Sequence, residues 1–302
     1  MAHICTNAHR NTLRRVETGQ NLLMDGVKRL NSSIQAQMSR EETHKILSWL
    51  CPQSTSGSRT SLENALRRRL PGTGRWFVAS EIFIAWIASK QSSIWITDLP
   101  GSGKTLLCAS AIKEIFVRKD KKVAVLYFFC DHRDPSKVSH DNFVMTLARQ
   151  LFEHSPELMD RARRIYDEKA DDGDRSFNRA DYTPLIESIM GQFESVYILC
   201  DALDEAAEGD EIASTLKRLL SYGIRCNHSI KVLLTSRFDV QLERRHDLIT
   251  ANRVALAENM KPDIEQYINK EVENRIARGT LKLRDKDLQS LIQKRATSRA
   301  GT

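Results

Sequence analysis

The tightest constraint on this chain is the run Ile94-Trp95-Ile96-Thr97, then Asp98-Leu99-Pro100-Gly101-Ser102-Gly103-Lys104-Thr105, with helical sequence from Leu106 onward. A short apolar strand, a glycine-rich turn and a helix in that order leave few folds open. Glycines let the backbone curl so that successive N–H groups point inward at an anion. The following helix aims its positive N-terminal end at the same oxygens. At this spacing Lys104 reaches β- and γ-phosphates, and the Thr105 hydroxyl ligates magnesium. Gly101, Ser102, Gly103, Lys104, Thr105 and Leu106 are therefore the candidate nucleotide-binding residues, with ATP or GTP and Mg as expected ligands. One position departs from the usual G-x-x-x-x-G-K-[ST] pattern, since Asp98 stands where glycine is expected. A carboxylate there faces the phosphates, and weakened binding is the expected consequence.

Two further segments carry acids and bases at strand ends. Val196-Tyr197-Ile198-Leu199-Cys200 is an apolar run ending in Asp201, with Asp204 and Glu205 just beyond. Asp201 is the candidate magnesium-shell carboxylate beside Thr105. Asp204 and Glu205 are candidates for orienting or deprotonating an attacking water; the plainer reading of both is a solvated helix start. Val232-Leu233-Leu234-Thr235-Ser236 leads directly into Arg237. An arginine there sits at the carboxyl edge of the sheet, where open α/β folds bind ligands. It is a candidate sensor of the γ-phosphate, or else a structural ion-pair partner.

Short apolar segments at 94–97, 123–130, 196–200 and 231–235, with a weaker one at 253–257, alternate with helical stretches at 104–118, 141–154, 183–193 and 211–221. Alternation of this kind argues for an α/β fold, a mainly parallel sheet with helices on both faces. Before it, residues 1–45 read as a helical segment. Leu13, Val16, Leu23, Val27, Leu30 and Ile34 fall on a 3-4 spacing once Gln20 and Gln37 are counted in the seam. That is either a coiled-coil stripe for self-association or one helix packed on its own domain. Residues 46–74 form a pre-loop segment containing the small polar stretch 52–61. The main domain spans 75–257, and 258–302 reads as a partial helical subdomain.

Composition narrows the class. With 41% hydrophobic and 28% charged residues, the chain has the make-up of an ordinary globular protein. Its longest apolar run, Val123 to Cys130, is far short of the roughly 20 residues a membrane helix needs. The N-terminus lacks the basic flank and apolar core of a signal peptide. The six cysteines lack paired or metal-type spacing; Cys130 and Cys200, which end apolar runs, read as small core residues, and the chain reads as a reduced, cytoplasmic protein. The net charge of +7 is spread over clusters such as Arg67-Arg68-Arg69 without interleaved aromatics, which reads as solvated surface rather than a nucleic-acid face.

Asp201-Ala202-Leu203-Asp204-Glu205 and Leu233-Leu234-Thr235-Ser236-Arg237 resemble the NACHT branch of the STAND signalling P-loop NTPases. Ile46-Leu47-Ser48-Trp49-Leu50 and Leu70-Pro71-Gly72-Thr73-Gly74-Arg75-Trp76-Phe77 are similar to the segments ahead of the loop in nephrocystin-like NTPase domains, abundant in filamentous fungi. The resemblance runs over about residues 46 to 278. It implies a sensor strand, 231–235, lying between the loop strand and the Asp201 strand. It also implies that Gly72 to Phe77 approach the nucleotide base, although Trp76 and Phe77 read equally as core. Asn259 to Tyr267 would begin a small helical subdomain, and the run from Arg295 to Thr302 does not look like the usual winged-helix continuation, as in a truncated member. The activity so implied is slow NTP hydrolysis resetting a signalling switch, with protein partners or self-association through the N-terminal helix. A binding-only scaffold is the second reading.

Overall fold

A computed structural model describes residues 40–50, 52, 57–118, 120, 122–171, 179–237, 252–256, 260–281 and 295. The chain divides into two units, residues 1–49 and 50–302. In the first, the described part from residue 40 on is helical. The stripe at 13–37 lies outside the described residues, as do Asn259 and the end of the chain after Arg295.

The second unit is built on a five-stranded sheet, β1 (Gln91–Thr97), β2 (Val123–Phe129), β3 (Ser195–Asp201), β4 (Ser229–Ser236) and β5 (Asn252–Ala255). Every pairing is parallel and the spatial order is β2-β3-β4-β1-β5. β4 thus lies between the strand that precedes the glycine-rich turn and the strand that ends in Asp201, as the resemblance implies. The weak apolar segment at 253–257 is the short edge strand β5.

Helices run α1 (Gly57–Arg68), α2 (Arg75–Val78), α3 (Glu81–Ala88), α4 (Lys104–Arg118), α5 (His140–Phe152), α6 (Pro156–Asp171), α7 (Arg179–Met190), α8 (Gly209–Cys226) and α9 (Lys261–Ala277). Side chains of a strand alternate between faces, and this sheet is buried on both. Val125, Tyr127, Phe129, Tyr197, Leu199 and Leu233 share one core with Leu107, Ala111, Ile112 and Ile115 of α4. On the opposite face Phe128 meets Phe143 of α5 edge-on, with ring centroids 5.5 Å apart. α8 buries Ile212, Leu216, Leu219 and Leu220, an i, i+4, i+7, i+8 stripe, each worth about 1.5–3 kcal/mol of transfer free energy. Gly223 continues that stripe, and a Cβ there would lie 3.0 Å from Ile230 of β4, so glycine permits the close helix–strand approach.

α6 is a helix absent from the sequence reading, although Leu158, Met159, Ala162, Ile165 and Tyr166 fall at i, i+1, i+4, i+7 and i+8; of these Leu158 and Ala162 are buried. The thiols of Cys130 and Cys200 are free and buried, in keeping with their reading as core residues; Cys108 is also buried, and Cys226 is exposed. Cys130 and Cys200 lie 4.0 Å apart, Sγ to Sγ.

Candidate nucleotide site

Parallel register brings the strand ends level. Thr97 of β1 pairs with Ser236 of β4, and Asp201 of β3 pairs with Phe129 of β2. The residues that follow these strands therefore emerge along one carboxyl edge, which is where the chemistry collects.

At β1 the chain turns through residues 98–103 into α4. Gly101 and Gly103 take φ of 81° and 89°, left-handed values that glycine adopts without a Cβ penalty. A Cβ on Gly103 would also fall 2.6 Å from the Met260 methyl, so this glycine serves a packing contact as well as the turn. Lys104 and Thr105 open α4, and their amides lack intrahelical acceptors by position. The amides of Ser102 and Leu106 donate to Leu99 O (3.3 Å) and Gly103 O (3.0 Å), leaving the Leu106 side chain partly buried against the core. Lys104 folds over the turn, its Nζ donating to the carbonyls of Asp98 and Leu99 at 2.7 Å each and to Ser102 Oγ at 3.3 Å. Burial pulls the Lys104 ammonium below its ordinary pKa, and Arg237 adds to this, while Asp98, Asp204 and Asp201 oppose it.

Asp98 has no positive φ, so its backbone does not require glycine. Its Oδ1 accepts the Leu99 N–H at 2.6 Å, which commits one carboxylate oxygen to the loop itself.

Period-2 alternation puts Tyr197, Leu199 and Asp201 on the α4 side of the sheet, and Leu233 and Thr235 likewise. Asp201 is only 2% exposed. Its carboxylate is hydrogen-bonded by the hydroxyls of Thr235, at 2.6 Å, and Thr105. Burial raises its pKa to about 6; the two hydroxyls hold it down, Glu205 pushes it up and Lys104 pulls it down. A buried carboxylate touching a threonine hydroxyl is a hard-oxygen donor set, which suits a magnesium ion. Ala202, immediately after it, sits in left-handed backbone at φ 54° and ψ 47°. For a non-glycine residue this costs about 1–2 kcal/mol, and it turns the chain into the short helical turn Leu203–Glu205.

Asp204, Glu205 and Arg237 meet across β3 and β4. Arg237 donates its N–H to Asp204 Oδ1 at 2.9 Å, and its Nε lies 3.1 Å from Asp204 Oδ2. The Arg237 guanidinium also comes within 3.7 Å of Glu205 Oε1. Sequence reasoning missed the next partner, His132, whose Nδ1 lies 3.0 Å from Glu205 Oε2. It lies three residues past the end of β2, and the rule that ligands bind at carboxyl ends of strands would have nominated it.

Trp76 and Phe77 of α2 pack edge-on, Phe77 wholly buried and Trp76 partly so. The turn before them is tied to α9, since Gly74 donates its N–H to Asp263 Oδ2 at 2.6 Å and Gln266 donates to Pro71 O at 3.1 Å.

A central parallel sheet, a glycine-rich turn capped by lysine and threonine, and a buried aspartate on the neighbouring strand but one define a P-loop NTPase domain of NACHT-like type. The chain belongs to the family described as "Nephrocystin 3, N-terminal", whose family model matches residues 72–237, more than half of its length. It is similar to the vegetative incompatibility protein HET-E-1 of Podospora anserina, at 27% identity over 213 residues. That match covers 67% of this chain and 15% of the relative's length. Among solved structures it is similar to Cdc6p of Pyrobaculum aerophilum, with 13% identity, TM-score 0.45, and 67% and 49% of the two chains covered. It is also similar to Aeropyrum pernix Orc1 in complex with DNA, with 14% identity, TM-score 0.43, and 70% and 49% covered. Among the described residues, no helix is long and apolar enough to cross a membrane.

Proposed function

We propose that this chain is a nucleotide-dependent signalling switch that binds ATP or GTP with Mg through Gly101–Leu106 and resets by slow hydrolysis. The observation that carries the reading is the convergence of Lys104, the Thr105–Asp201 hydrogen bond and the Arg237–Asp204 ion pair at one sheet edge. Lys104 would exchange its loop carbonyls for phosphate oxygens, which are stronger, charged acceptors. Thr105 and Asp201 would hold the magnesium, whose contribution is to neutralise charge on the β- and γ-phosphates. Asp204 and Glu205 would orient a water, and Arg237 would leave them for the γ-phosphate. That exchange supplies the differential contact a switch requires, since a ligand shifts an equilibrium only by what it binds differently in two states. Because Arg237 must first give up an ion pair with both acids, turnover is slow. Assembly with protein partners would transmit the state.

Calorimetry with ATP and GTP, with and without Mg, together with single-turnover hydrolysis, tests the reading. Triphosphate should bind only with Lys104 intact, and Lys104→Ala should lose binding with little change in its thermal melt, because it frees two loop carbonyls and the Ser102 hydroxyl and touches no core residue. Arg237→Ala should weaken triphosphate more than diphosphate. Binding with no turnover would leave the scaffold reading standing, and unchanged affinity in Lys104→Ala would remove the nucleotide site altogether.

A further inference from the structure

Glu205 is gripped from two directions. Its Oε1 faces the Arg237 guanidinium, 3.7 Å away at the end of β4, and its Oε2 is bonded by His132 at the end of β2. Since β3 lies between β2 and β4, these grips come from opposite neighbours of the strand that leads into Glu205. The His132 contact is double: its backbone N–H points at the same Oε2, 3.4 Å away, while Nδ1 approaches to 3.0 Å. A carboxylate only accepts, so Nδ1 carries the proton. The residues beside His132 are paired with each other, Arg133 spanning both Asp131 oxygens at 2.9 and 3.0 Å, which leaves the imidazole to Glu205.

The two grips have different fates. In the switch reading, Arg237 transfers to the γ-phosphate, and Glu205 then loses its contact on Oε1. His132 belongs to a neighbouring strand end, and nothing in that exchange moves it. We infer that His132 is a positioning residue for hydrolysis: it keeps Glu205 over the reaction centre once Arg237 has moved to the phosphate. Without it, Glu205, whose side chain is partly exposed, has several rotamers to sample. Hydrolysis, which needs the carboxylate in one place, then slows, whereas nucleotide binding, which does not use it, is unaffected.

This inference rests on the hydrolytic reading of Glu205, and the experiment separates the two. ATP and GTP hydrolysis at saturating Mg is measured for the parent, His132→Ala, His132→Asn, Glu205→Gln and the double variant His132→Ala/Glu205→Gln. His132→Ala should lower kcat about ten-fold with KM changed less than two-fold. His132→Asn, whose amide N–H stands near the place of Nδ1–H, should recover at least half of that loss on a logarithmic scale. The double variant should be no slower than Glu205→Gln, because His132 acts only through that carboxylate. A kcat in His132→Ala equal to the parent's, an asparagine variant no better than alanine, or fully additive losses would each overturn the role of His132 alone. A parent with no turnover, or a Glu205→Gln variant as fast as the parent, would overturn the hydrolytic reading of Glu205 and this inference with it.

Discussion

Thr235 donates its hydroxyl proton to Asp201 at 2.6 Å and accepts the Ala202 N–H at 2.8 Å, so one β4 side chain pins both the buried carboxylate and the strained turn after it. Thr235→Val keeps the shape and removes both bonds. Each orphaned group costs about 1–3 kcal/mol, and the expected loss is about 2–4 kcal/mol in urea unfolding, with an unchanged m value. Thr235→Ser should stay within about 1 kcal/mol of the parent. A valine variant as stable as the parent would mean the bridge contributes nothing.

Asp201 should make Mg binding pH-dependent. Burial lifts its pKa from the ordinary 3.8 to about 6. An acid whose pKa is raised on folding favours the folded state at low pH, and this contribution is lost as pH rises from about 4 through about 6. Metal binding runs the other way, because the ligand must be ionised. Lowering pH from 7 to 5 should weaken the Mg-dependent part of triphosphate affinity about ten-fold, as expected one unit below the pKa. Asp201→Asn should abolish that dependence. A Mg-dependent affinity that is flat from pH 7 to 5 would place the metal elsewhere.

Asp98 adds a charge, not strain. Its backbone needs no glycine, and its Oδ1 caps the Leu99 amide. Asp98→Gly should tighten triphosphate binding about three- to ten-fold at low salt, less at 0.5 M, because only the charge term is screened. Asp98→Asn should give most of that gain while retaining the amide contact. Equal affinities for parent and glycine variant at low salt would show that the carboxylate does not act on the phosphates.

Lys231 is 2% exposed within β4, its Nζ donating to Ser229 Oγ at 2.7 Å and lying 4.7 Å from the Tyr197 ring centroid. Burial lowers its pKa to about 8. A base whose pKa falls on folding makes the charged form a cost below about pH 8, and that cost fades as pH rises towards the unfolded value. Lys231→Met should therefore stabilise the fold by about 1 kcal/mol at pH 7, with the gain shrinking by pH 10. A destabilised methionine variant at pH 7 would show that the Ser229 and Tyr197 contacts outweigh desolvation.

Much of the fold was legible in the sequence because its strands are buried on both faces. Val123–Phe129 and Val196–Cys200 read as unbroken apolar runs, which is how a doubly covered parallel strand must read. The glycine-rich turn was legible too, since its spacing reflects local backbone geometry. α6 was legible but passed over: Leu158, Met159, Ala162, Ile165 and Tyr166 form a helical stripe, thinned by charged residues at most other positions. The edge strand β5 was faint, being only Asn252–Ala255.

What the sequence determined by itself is local: strand, turn and helix around Lys104, an acid at the end of β3 and an arginine at the end of β4. Each of these depends on residues adjacent along the chain. What only the tertiary structure decided is pairing. That Thr235 reaches Asp201, that Arg237 folds onto Asp204 and that His132 holds Glu205 follow from strand order and register, and that Met260 packs on Gly103 follows from where α9 docks. These contacts join residues far apart in sequence, and a shift of one residue in register would turn every side chain of a strand to the opposite face. Such contacts leave no periodic trace in the chain, because the partner's position is set by the summed packing of the sheet.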